Sequence, residues 1–470
     1  MSPALRRCVA LLASSSLIAL AFTTFAVPGA VLGCLGVAVL LWHANAQRRV
    51  ASWVVDCFVV ITLANACVLS WMLASLGQGL GFAGAAGVWL FLAAYAALYP
   101  TAALGLGAVL VARGCPWTLA LPGAWLLAES ARAHLFTGFD WLALGNAAIG
   151  SPGLAHAYGW IGVHGVSALL VCAAAALVDG LRRYGPLPAV AALVGAMWLL
   201  ATPLCRDPHD DGTPLRVGVL QTTGDDAELS RYAHDLGRAG AELIAGPEGL
   251  LPEHPLILAR GVDVIAGRQA PCAVHMGRRC VENTLVHFAA SGARDAVYRK
   301  QFLVPLYERD IGPFTARGRM YMQPGATPGL FAVRGLWTGG LICYEIMSPD
   351  GASALAEAGA QWIVHPTSDT WQLDDRGIRQ HVALAQVRAA EFGLPVLRVS
   401  NVHSSTLLDP HGRLAWTLPD EATSGLVEIS VGGRETFLRR AHALAQAARI
   451  AVAVVWLLVA VLFTRKGKRS

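Results

Sequence analysis

The stretch "LWTGGLICYEI" at residues 336–346 joins an apolar run to three reactive side chains. Residues 336–342 are mostly apolar or small, and Cys343, Tyr344 and Glu345 follow directly. This pattern predicts a buried strand that ends in a turn at Cys343. A cysteine in such a place is either a packing residue or a nucleophile, and packing is the commoner role for an isolated cysteine. The surrounding sequence has to decide between the two.

The sequence on both sides of this stretch alternates strands with helices, which is typical of an α/β layer domain. A hairpin is predicted at the turn "SGARD", residues 291–295. The other predicted elements are strands at 215–221, 241–249, 361–369 and 395–401, and helices at 227–240 and 379–393.

Polar side chains stand at the ends of these apolar runs, where α/β sheets usually bind their ligands. Glu248, Lys300 and Cys343 are three of them. A cysteine attacks a carbonyl best as thiolate, a carboxylate in a dry site can take its proton, and a lysine can stabilise the resulting oxyanion. Taken singly, each residue more often has a structural role. The three therefore form a candidate catalytic set that needs further support.

The composition of the whole chain indicates a membrane protein. Of 470 residues, 55% are hydrophobic and only 14% are charged, whereas a soluble domain has about 25% charged residues. We predict a membrane domain at 1–204 with seven spans, an extracytoplasmic domain at 205–446, and a last transmembrane helix with a basic tail at 447–470. The net charge of +5 is not concentrated in a stripe with aromatic residues, which argues against nucleic acid as a partner.

Eight segments are long and apolar enough to cross a bilayer, which takes about 20 residues. The first follows Arg6-Arg7 as a signal peptide would, but further spans come directly after it, so we expect an uncleaved helix. The predicted spans are 8–25, 29–44, 53–76, 84–111, 117–134, 161–179, 187–204 and 447–464.

Basic residues in the connections predict the orientation of the spans. They fall in alternate connections, which places those connections in the cytoplasm by the positive-inside rule. The extracytoplasmic side then receives the 135–160 loop and the whole 205–446 domain. Arg439-Arg440, just before the last span, disagree with this arrangement. The agreeing groups are Arg6-Arg7, Arg48-Arg49, Arg113, Arg182-Arg183 and the tail "RKGKRS".

The sequence leaves open whether two of the cysteines are paired and why two acidic residues lie within predicted spans. The chain has ten cysteines and no CxxC pair, which argues against a zinc site. Cys272 and Cys280 could form a disulfide if their domain is extracytoplasmic, or could remain free thiols. Asp56 and Glu129 lie within predicted spans, and the sequence gives no reason for them.

Three short sequence motifs resemble those of a known family. "PE" at 247–248, "YRKQFLVPLYE" at 298–308 and "LICYE" at 341–345 resemble the Glu-Lys-Cys signature of the carbon–nitrogen hydrolase (nitrilase) superfamily. "LFTGFDWLALGNA" at 135–147 and "RQHVALAQVRAAEFGLPVLRVSN" at 379–401 resemble its membrane-bound branch, the apolipoprotein N-acyltransferases. The resemblance extends over nearly the whole chain.

The resemblance implies a fold and a set of residue roles. The fold would be a polytopic α-helical membrane domain of about eight spans joined to a nitrilase-like αββα sandwich. Glu248 would be the general base, Lys300 the oxyanion stabiliser and Cys343 the nucleophile. The supporting residues would be Glu308, Tyr344 and Glu345. No metal or organic cofactor is implied.

The implied reaction moves a fatty acyl chain in two steps. A membrane phospholipid, the donor, would acylate Cys343 and leave as lysophospholipid. The N-terminal amine of a diacylglyceryl-cysteine lipoprotein would then accept the chain from the thioester. The expected location is the bacterial inner membrane, with several spans and the catalytic domain facing the periplasm.

Several positions depart from the family pattern and keep alternatives open. Gly246 stands where tryptophan is usual, "HPTSDTWQ" at 365–372 stands where TNDAWFG is usual, and "NVHSST" at 401–406 also differs. Related proteins encoded with conjugative plasmid transfer functions (the TraB type) share this layout and could act on another substrate. The same thioester resolved by water would make a membrane-bound amidase, and a third alternative is a catalytically silent scaffold.

Overall fold

The structure is a computed structural model that divides into two compact units. The first unit comprises Met1–Arg206, Gln372–Ala383 and Ala441–Ser470, and the second comprises Asp207–Trp371 and Leu384–Arg440. The structure describes the whole chain apart from residues 1, 45–48, 137, 187–194, 196–201, 203–211, 225, 252–260, 276–277, 306, 311–319, 371–373, 404, 433–435 and 467–470.

The first unit is helical, as its apolar composition predicts. Within the described residues six helical segments are long and apolar enough to cross a membrane: Ala4–Thr24, Val27–Ala44, Val50–Val68, Met72–Val111, Pro152–Tyr184 and Ala447–Thr464. The prediction of a polytopic membrane domain is thus confirmed. The helices of this unit are α1 (Pro3–Thr24), α2 (Val27–Ala44), α3 (Val50–Val68), α4 (Met72–Val111), α5 (Trp117–Ala120), α6 (Pro122–His134), α7 (Ala155–Tyr184) and, after the second unit's α8–α10, α11 (Phe437–Lys466).

Three predicted spans do not appear as single membrane helices. The segment 53–76 is divided, because α3 ends at Val68 and α4 begins at Met72. The segment 117–134 is broken into α5 and the 13-residue α6. Pro122 causes the break, because proline lacks the N–H that a continuing helix would need and instead begins the next helix. The predicted span 187–204 lies almost entirely outside the described residues.

Non-helical backbone between α6 and α7 is buried inside the first unit. Residues 139–149 are buried throughout, although the segment contains only a short 3-10 helix at Leu144–Ala148. Its polar backbone groups find side-chain partners: Glu129 Oε1 accepts from Leu144 N at 2.9 Å, and Ser167 Oγ accepts from Gly145 N at 2.7 Å. Irregular backbone in a membrane unit is stable only when its hydrogen bonds are satisfied in this way.

The two unexplained acids of the spans are both paired. Asp56 accepts a hydrogen bond from Arg7 Nε at 3.1 Å and lies 3.2 Å from His43 Nε2. Glu129, besides binding Leu144 N, lies 3.8 Å from Arg132 Nη2. Both acids are therefore structural, because each holds separate elements of the helical unit together.

Residues 372–383 belong to the helical unit, whereas the sequence assigned them to the extracytoplasmic domain. Gln380 accounts for this difference. Its Oε1 accepts from Trp141 Nε1 at 2.7 Å and from Trp71 Nε1 at 3.1 Å, and its Nε2 donates to the Val68 carbonyl at 3.0 Å. These partners are 239 to 312 residues away in sequence, so the sequence pattern could not indicate them.

The second unit is an α/β sandwich, as predicted. Its first sheet has the strand order β13-β1-β2-β3-β4-β5 with β6 beside β4, and its second has the order β12-β11-β10-β9-β8-β7. The helices are α8 (Asp226–Arg238), α9 (Pro349–Glu357) and α10 (Asp375–Phe392), the last of which begins in the first unit. The strands are β1 (Thr213–Leu220), β2 (Leu243–Ala245), β3 (Asp263–His275), β4 (Arg278–Phe288), β5 (Arg294–Arg299), β6 (Met320–Met322), β7 (Gly329–Val333), β8 (Leu336–Gly340), β9 (Trp362–Thr367), β10 (Val396–Ser400), β11 (Thr406–Leu408), β12 (Leu414–Thr417) and β13 (Ser424–Val431).

Alternate side chains of the first sheet pack into two separate apolar layers, one on each face of the sheet. Val217 and Ile265 pack with Val364 and Leu397 in the core between the sheets. Residues of the opposite parity, such as Leu220 and Ile244, pack against α8 in a separate cluster. Because successive side chains on a strand point to opposite faces, this produces helix, sheet, sheet and helix layers. On the second sheet Leu355 of α9 lies against Gly339.

The predicted hairpin at 291–295 is confirmed between β4 and β5, but the strand β3 was not predicted. β3 pairs with β4 along almost its full length, and polar residues such as Arg268 and Gln269 interrupt its apolar pattern. Cys272 and Cys280 face each other on these strands and are joined in a disulfide, with Cα atoms 5.0 Å apart. The question that the sequence left open is thus answered in favour of the bond.

Substituting Gly145 with alanine should destabilise the helical unit. An added Cβ would lie 2.3 Å from the Val163 carbonyl oxygen, which is backbone and cannot turn away. We expect a loss of about 1–3 kcal/mol, seen as a lower midpoint of thermal unfolding in detergent. Gly180→Ala on α7 is the control, because no heavy atom lies within 4 Å of its new Cβ. Equal midpoints for the two variants would contradict the expectation.

Candidate active site

Cys343 occupies a strained turn after β8, as the sequence predicts. The strand ends at Gly340, and Cys343 begins a 3-10 helix that runs to Met347. Its φ of 50° lies in the left-handed region, which non-glycine residues rarely adopt and which costs about 1–3 kcal/mol. Only 4% of its surface is exposed. Strain of this kind is common at functional sites, where surrounding contacts maintain it.

Lys300 brings the two predicted glutamates together. Its Nζ lies 2.9 Å from Glu308 Oε1 and 3.4 Å from Glu248 Oε1. Lys300 follows β5 and Glu248 follows β2, so both come from ends of strands in the first sheet. Burial is the largest influence on the Lys300 pKa and lowers it, but Glu308 and Glu248 hold that pKa well above its ordinary value. The side chain is therefore a stable buried cation.

The thiol of Cys343 is protonated at neutral pH. Its pKa is raised from 9.0 to about 12, first by burial and next by the negative charge of Glu248. Lys300 and the Thr367 hydroxyl act in the opposite direction. The structure therefore brings Glu248, Lys300 and Cys343 into one electrostatic cluster. In such a cluster the thiol needs a base before it can act as a nucleophile.

Further hydrogen bonds fix the two glutamates. Glu248 Oε1 accepts from Asn283 Nδ2 at 2.7 Å, and its Oε2 accepts from the Ser368 N–H at 3.1 Å. Glu308 Oε2 accepts from the Val304 N–H at 2.8 Å. Each carboxylate therefore has one oxygen near Lys300 and the other held by backbone, which restricts its rotation.

Glu345 connects the turn at Cys343 to the loop that carries Lys300. It is fully buried and accepts hydrogen bonds from Ile342 N at 2.7 Å, Gln301 N at 2.6 Å and the Tyr298 hydroxyl at 2.7 Å. Tyr344 is half-buried beside it. Glu345 thus lies behind the cluster, and its contacts are those of a residue that positions neighbouring backbone.

Three further residues lie beside the cluster and were not identified from the sequence: Asn283, His365 and Thr367. Asn283 is 1% exposed in the middle of β4, and His365 is fully buried on β9 with Nε2 3.0 Å from the Cys343 carbonyl oxygen. For His365 the available signal was a polar residue inside the otherwise apolar run "WIVHP" of β9. Asn283 lies among other polar residues of β4, so the sequence gave no such signal for it. Among the described residues, no group of three or more His, Cys, Asp or Glu side chains could hold a metal ion.

Two family models match the chain. The carbon-nitrogen hydrolase model matches residues 227–436, which include the whole cluster. The model of the apolipoprotein N-acyltransferase N-terminal domain matches residues 14–176, within the helical unit.

Curated relatives are similar to the chain over most of its length. Apolipoprotein N-acyltransferase of Brucella melitensis is 30% identical in an alignment of 397 positions that covers 75% of this chain and 74% of that protein. Apolipoprotein N-acyltransferase of Ralstonia nicotianae is 29% identical in an alignment of 474 positions that covers 90% of this chain and 87% of that protein. Among solved structures, the carbon-nitrogen hydrolase of Helicobacter pylori G27 is 18% identical with a TM-score of 0.37, covering 51% of this chain and 94% of that chain.

Alkylation by iodoacetamide, with the Cys343 peptide quantified by mass spectrometry, tests the electrostatics of the cluster. The rate should rise about tenfold per pH unit between pH 8 and 11, because the thiolate fraction rises in that proportion below the pKa. Lys300→Met should lower the rate at least about threefold at pH 9, since losing the cation raises the Cys343 pKa further. Lys466→Met, at the end of α11, is the control. Unchanged or faster alkylation in Lys300→Met would show that the cation does not act on the thiol.

Proposed function

The chain belongs to the apolipoprotein N-acyltransferase family, and from this premise we propose that it transfers a fatty acyl chain from a membrane phospholipid to the N-terminal amine of a diacylglyceryl-cysteine lipoprotein. The observation that carries the proposal for this chain is the buried cluster of Glu248, Lys300 and Cys343 in the unit that the carbon-nitrogen hydrolase model matches. Its chemistry suits attack on an acyl carbonyl.

In the first half-reaction Glu248 takes the proton of the Cys343 thiol, and the sulfur attacks the ester carbonyl of the phospholipid. The negative charge that forms on the carbonyl oxygen is stabilised by the Lys300 ammonium, which Glu308 keeps protonated and in place. The intermediate then collapses to a thioester. Glu248 returns its proton to the departing alkoxide, which leaves as lysophospholipid.

In the second half-reaction the lipoprotein amine attacks the thioester carbonyl. Glu248 accepts the proton that the amine loses, Lys300 again stabilises the oxyanion, and the Cys343 sulfur leaves and is reprotonated. Glu248 can therefore act as the base in both half-reactions, because it gives up its proton at the end of each one and is a carboxylate again. The same cluster without an amine acceptor would pass the acyl chain to water, as an amidase-type hydrolase does, and family membership does not favour that alternative.

We place the enzyme in the bacterial inner membrane with its second unit in the periplasm. The basic connections of the spans support this orientation. The Cys272–Cys280 disulfide supports it independently, since disulfides persist in the periplasm and are rare in the cytosol. A periplasmic catalytic unit on a chain anchored in the membrane would also meet both substrates, because neither a phospholipid nor a lipoprotein leaves the bilayer easily.

Intact-mass analysis of the purified protein after incubation with phospholipid vesicles tests the thioester. The wild type should gain one acyl chain that hydroxylamine removes, and a diacylglyceryl peptide should then take up the chain as an amide. Cys343→Ala should gain nothing, whereas Cys67→Ala, which removes an exposed free cysteine, should behave as the wild type. Glu248→Gln should form the adduct about 10²–10⁴ times more slowly. A wild type that leaves phospholipid intact and gains no mass would refute the proposal.

Reporter fusions test the orientation. Alkaline phosphatase, which folds only in the periplasm, should be active when fused after Arg440 and inactive when fused after Ser470. Fusions of a cytoplasmic fluorescent reporter at the same positions should give the opposite result. The reverse pattern would place the second unit, and with it Cys343, in the cytoplasm.

A further inference from the structure

We propose that His365 is a positioning residue of this reaction, which holds the peptide plane between Cys343 and Tyr344 in the orientation that catalysis requires. The inference rests on the proposed function for its substrates. It concerns a residue that lies in "HPTSD" at 365–369, where the sequence departs from the family pattern.

The contact is short, buried and directional. His365 is fully buried, and its Nε2 lies 3.0 Å from the carbonyl oxygen of Cys343. A carbonyl oxygen can only accept, so Nε2 must carry the proton in this contact. This contact is possible because β8 and β9 pair in parallel. Their pairing ends with Gly340 opposite Val364, so His365 follows directly beside the turn.

The backbone conformation of Cys343 explains why such an anchor matters. Its φ of 50° is unfavourable for a residue with a side chain, so neighbouring contacts have to hold the peptide planes on both sides. The plane before Cys343 is held by the Glu345 N–H, which donates to the Ile342 carbonyl at 3.1 Å. The plane after Cys343 is held at its carbonyl by His365.

Fixing that carbonyl also fixes the backbone and the side chain next to it. The peptide unit is planar, so the direction of the Cys343 carbonyl determines the direction of the Tyr344 N–H. A hydrogen bond to the carbonyl also polarises the peptide and strengthens its N–H as a donor. The same anchor limits rotation about the bonds that aim Cys343 Sγ. A loss of the anchor should therefore slow attack on the carbonyl more than it weakens phospholipid binding.

A second side chain of β9 acts on the same residue. Thr367 is two positions along the strand from His365, and its hydroxyl lowers the pKa of the Cys343 thiol. Alternate residues of a strand face the same side. His365 and Thr367 therefore lie on the same face of β9.

Variants of His365 that differ only in their hydrogen-bond donor test the inference. Glutamine can place an N–H where Nε2 stands, whereas asparagine is shorter by one methylene and leucine has no donor. In single-turnover thioester formation from phosphatidylethanolamine vesicles, His365→Leu and His365→Asn should lower the maximal rate about tenfold or more, with less than about a twofold change in half-saturating lipid. His365→Gln should remain within about threefold of the wild type.

His287→Leu provides the control for loss of a buried imidazole. His287 lies in the same unit, and its Nε2 pairs with Asp263 at 3.0 Å, away from the cluster. This variant should lower the thermal midpoint without slowing thioester formation. A His365→Gln protein that folds and is as slow as His365→Leu would overturn the inference, and so would wild-type rates in His365→Leu.

Iodoacetamide alkylation of Cys343 in the same proteins separates the two proposals. This reaction needs no phospholipid, so slower alkylation in His365→Leu and His365→Asn with recovery in His365→Gln supports the positioning role even if the wild type forms no thioester. In that case only the proposed acyl transfer fails. Equal alkylation in all four proteins, together with equal thioester formation, would refute the positioning role alone.

Discussion

The ammonium of Lys300 lies buried between two carboxylates, 2.9 Å from Glu308 and 3.4 Å from Glu248. An isolated buried charge would cost several kcal/mol, so the cation and its partners depend on one another. Two carboxylates and one ammonium leave one net negative charge, which helps keep the neighbouring Cys343 thiol protonated at rest. In the proposed reaction the thiol proton would pass to Glu248, so the negative charge would move to sulfur and the total charge of the site would stay the same. The site would then form its nucleophile without bringing further charge into a buried region.

This ion cluster depends on the sandwich, because its members come from separate strands. Glu248 follows β2 and Lys300 follows β5 in one sheet, while Cys343 follows β8 in the other. Glu345 links the two sheets at this point, since it accepts hydrogen bonds from Ile342 N beside Cys343 and from Gln301 N beside Lys300. Apolar packing between the sheets therefore sets the distances on which the electrostatics depend.

The sequence predicted the elements whose signals are local. Apolar runs and turn residues predicted the strand before Cys343, the hairpin at 291–295 and the membrane helices. Pro122 was a local signal that the segment 117–134 would not form one continuous helix. The members of the candidate site were named from their order in sequence and a family resemblance. Asn283, His365 and Thr367 were missed, because pairing between strands places each of them beside the cluster, and apolar periodicity does not encode that register.

By itself, then, the sequence determined that the chain combines membrane helices with an α/β domain and which residues could perform acyl chemistry, because hydropathy, turn chemistry and residue type are local properties. Only the tertiary structure decided that Gln380 joins the helical unit, that Asp56 and Glu129 are paired, and that Cys272 is bonded to Cys280. It also decided the protonation of Cys343 and Lys300. These outcomes depend on burial and on charges from distant parts of the chain, and such neighbours exist only once the chain has folded.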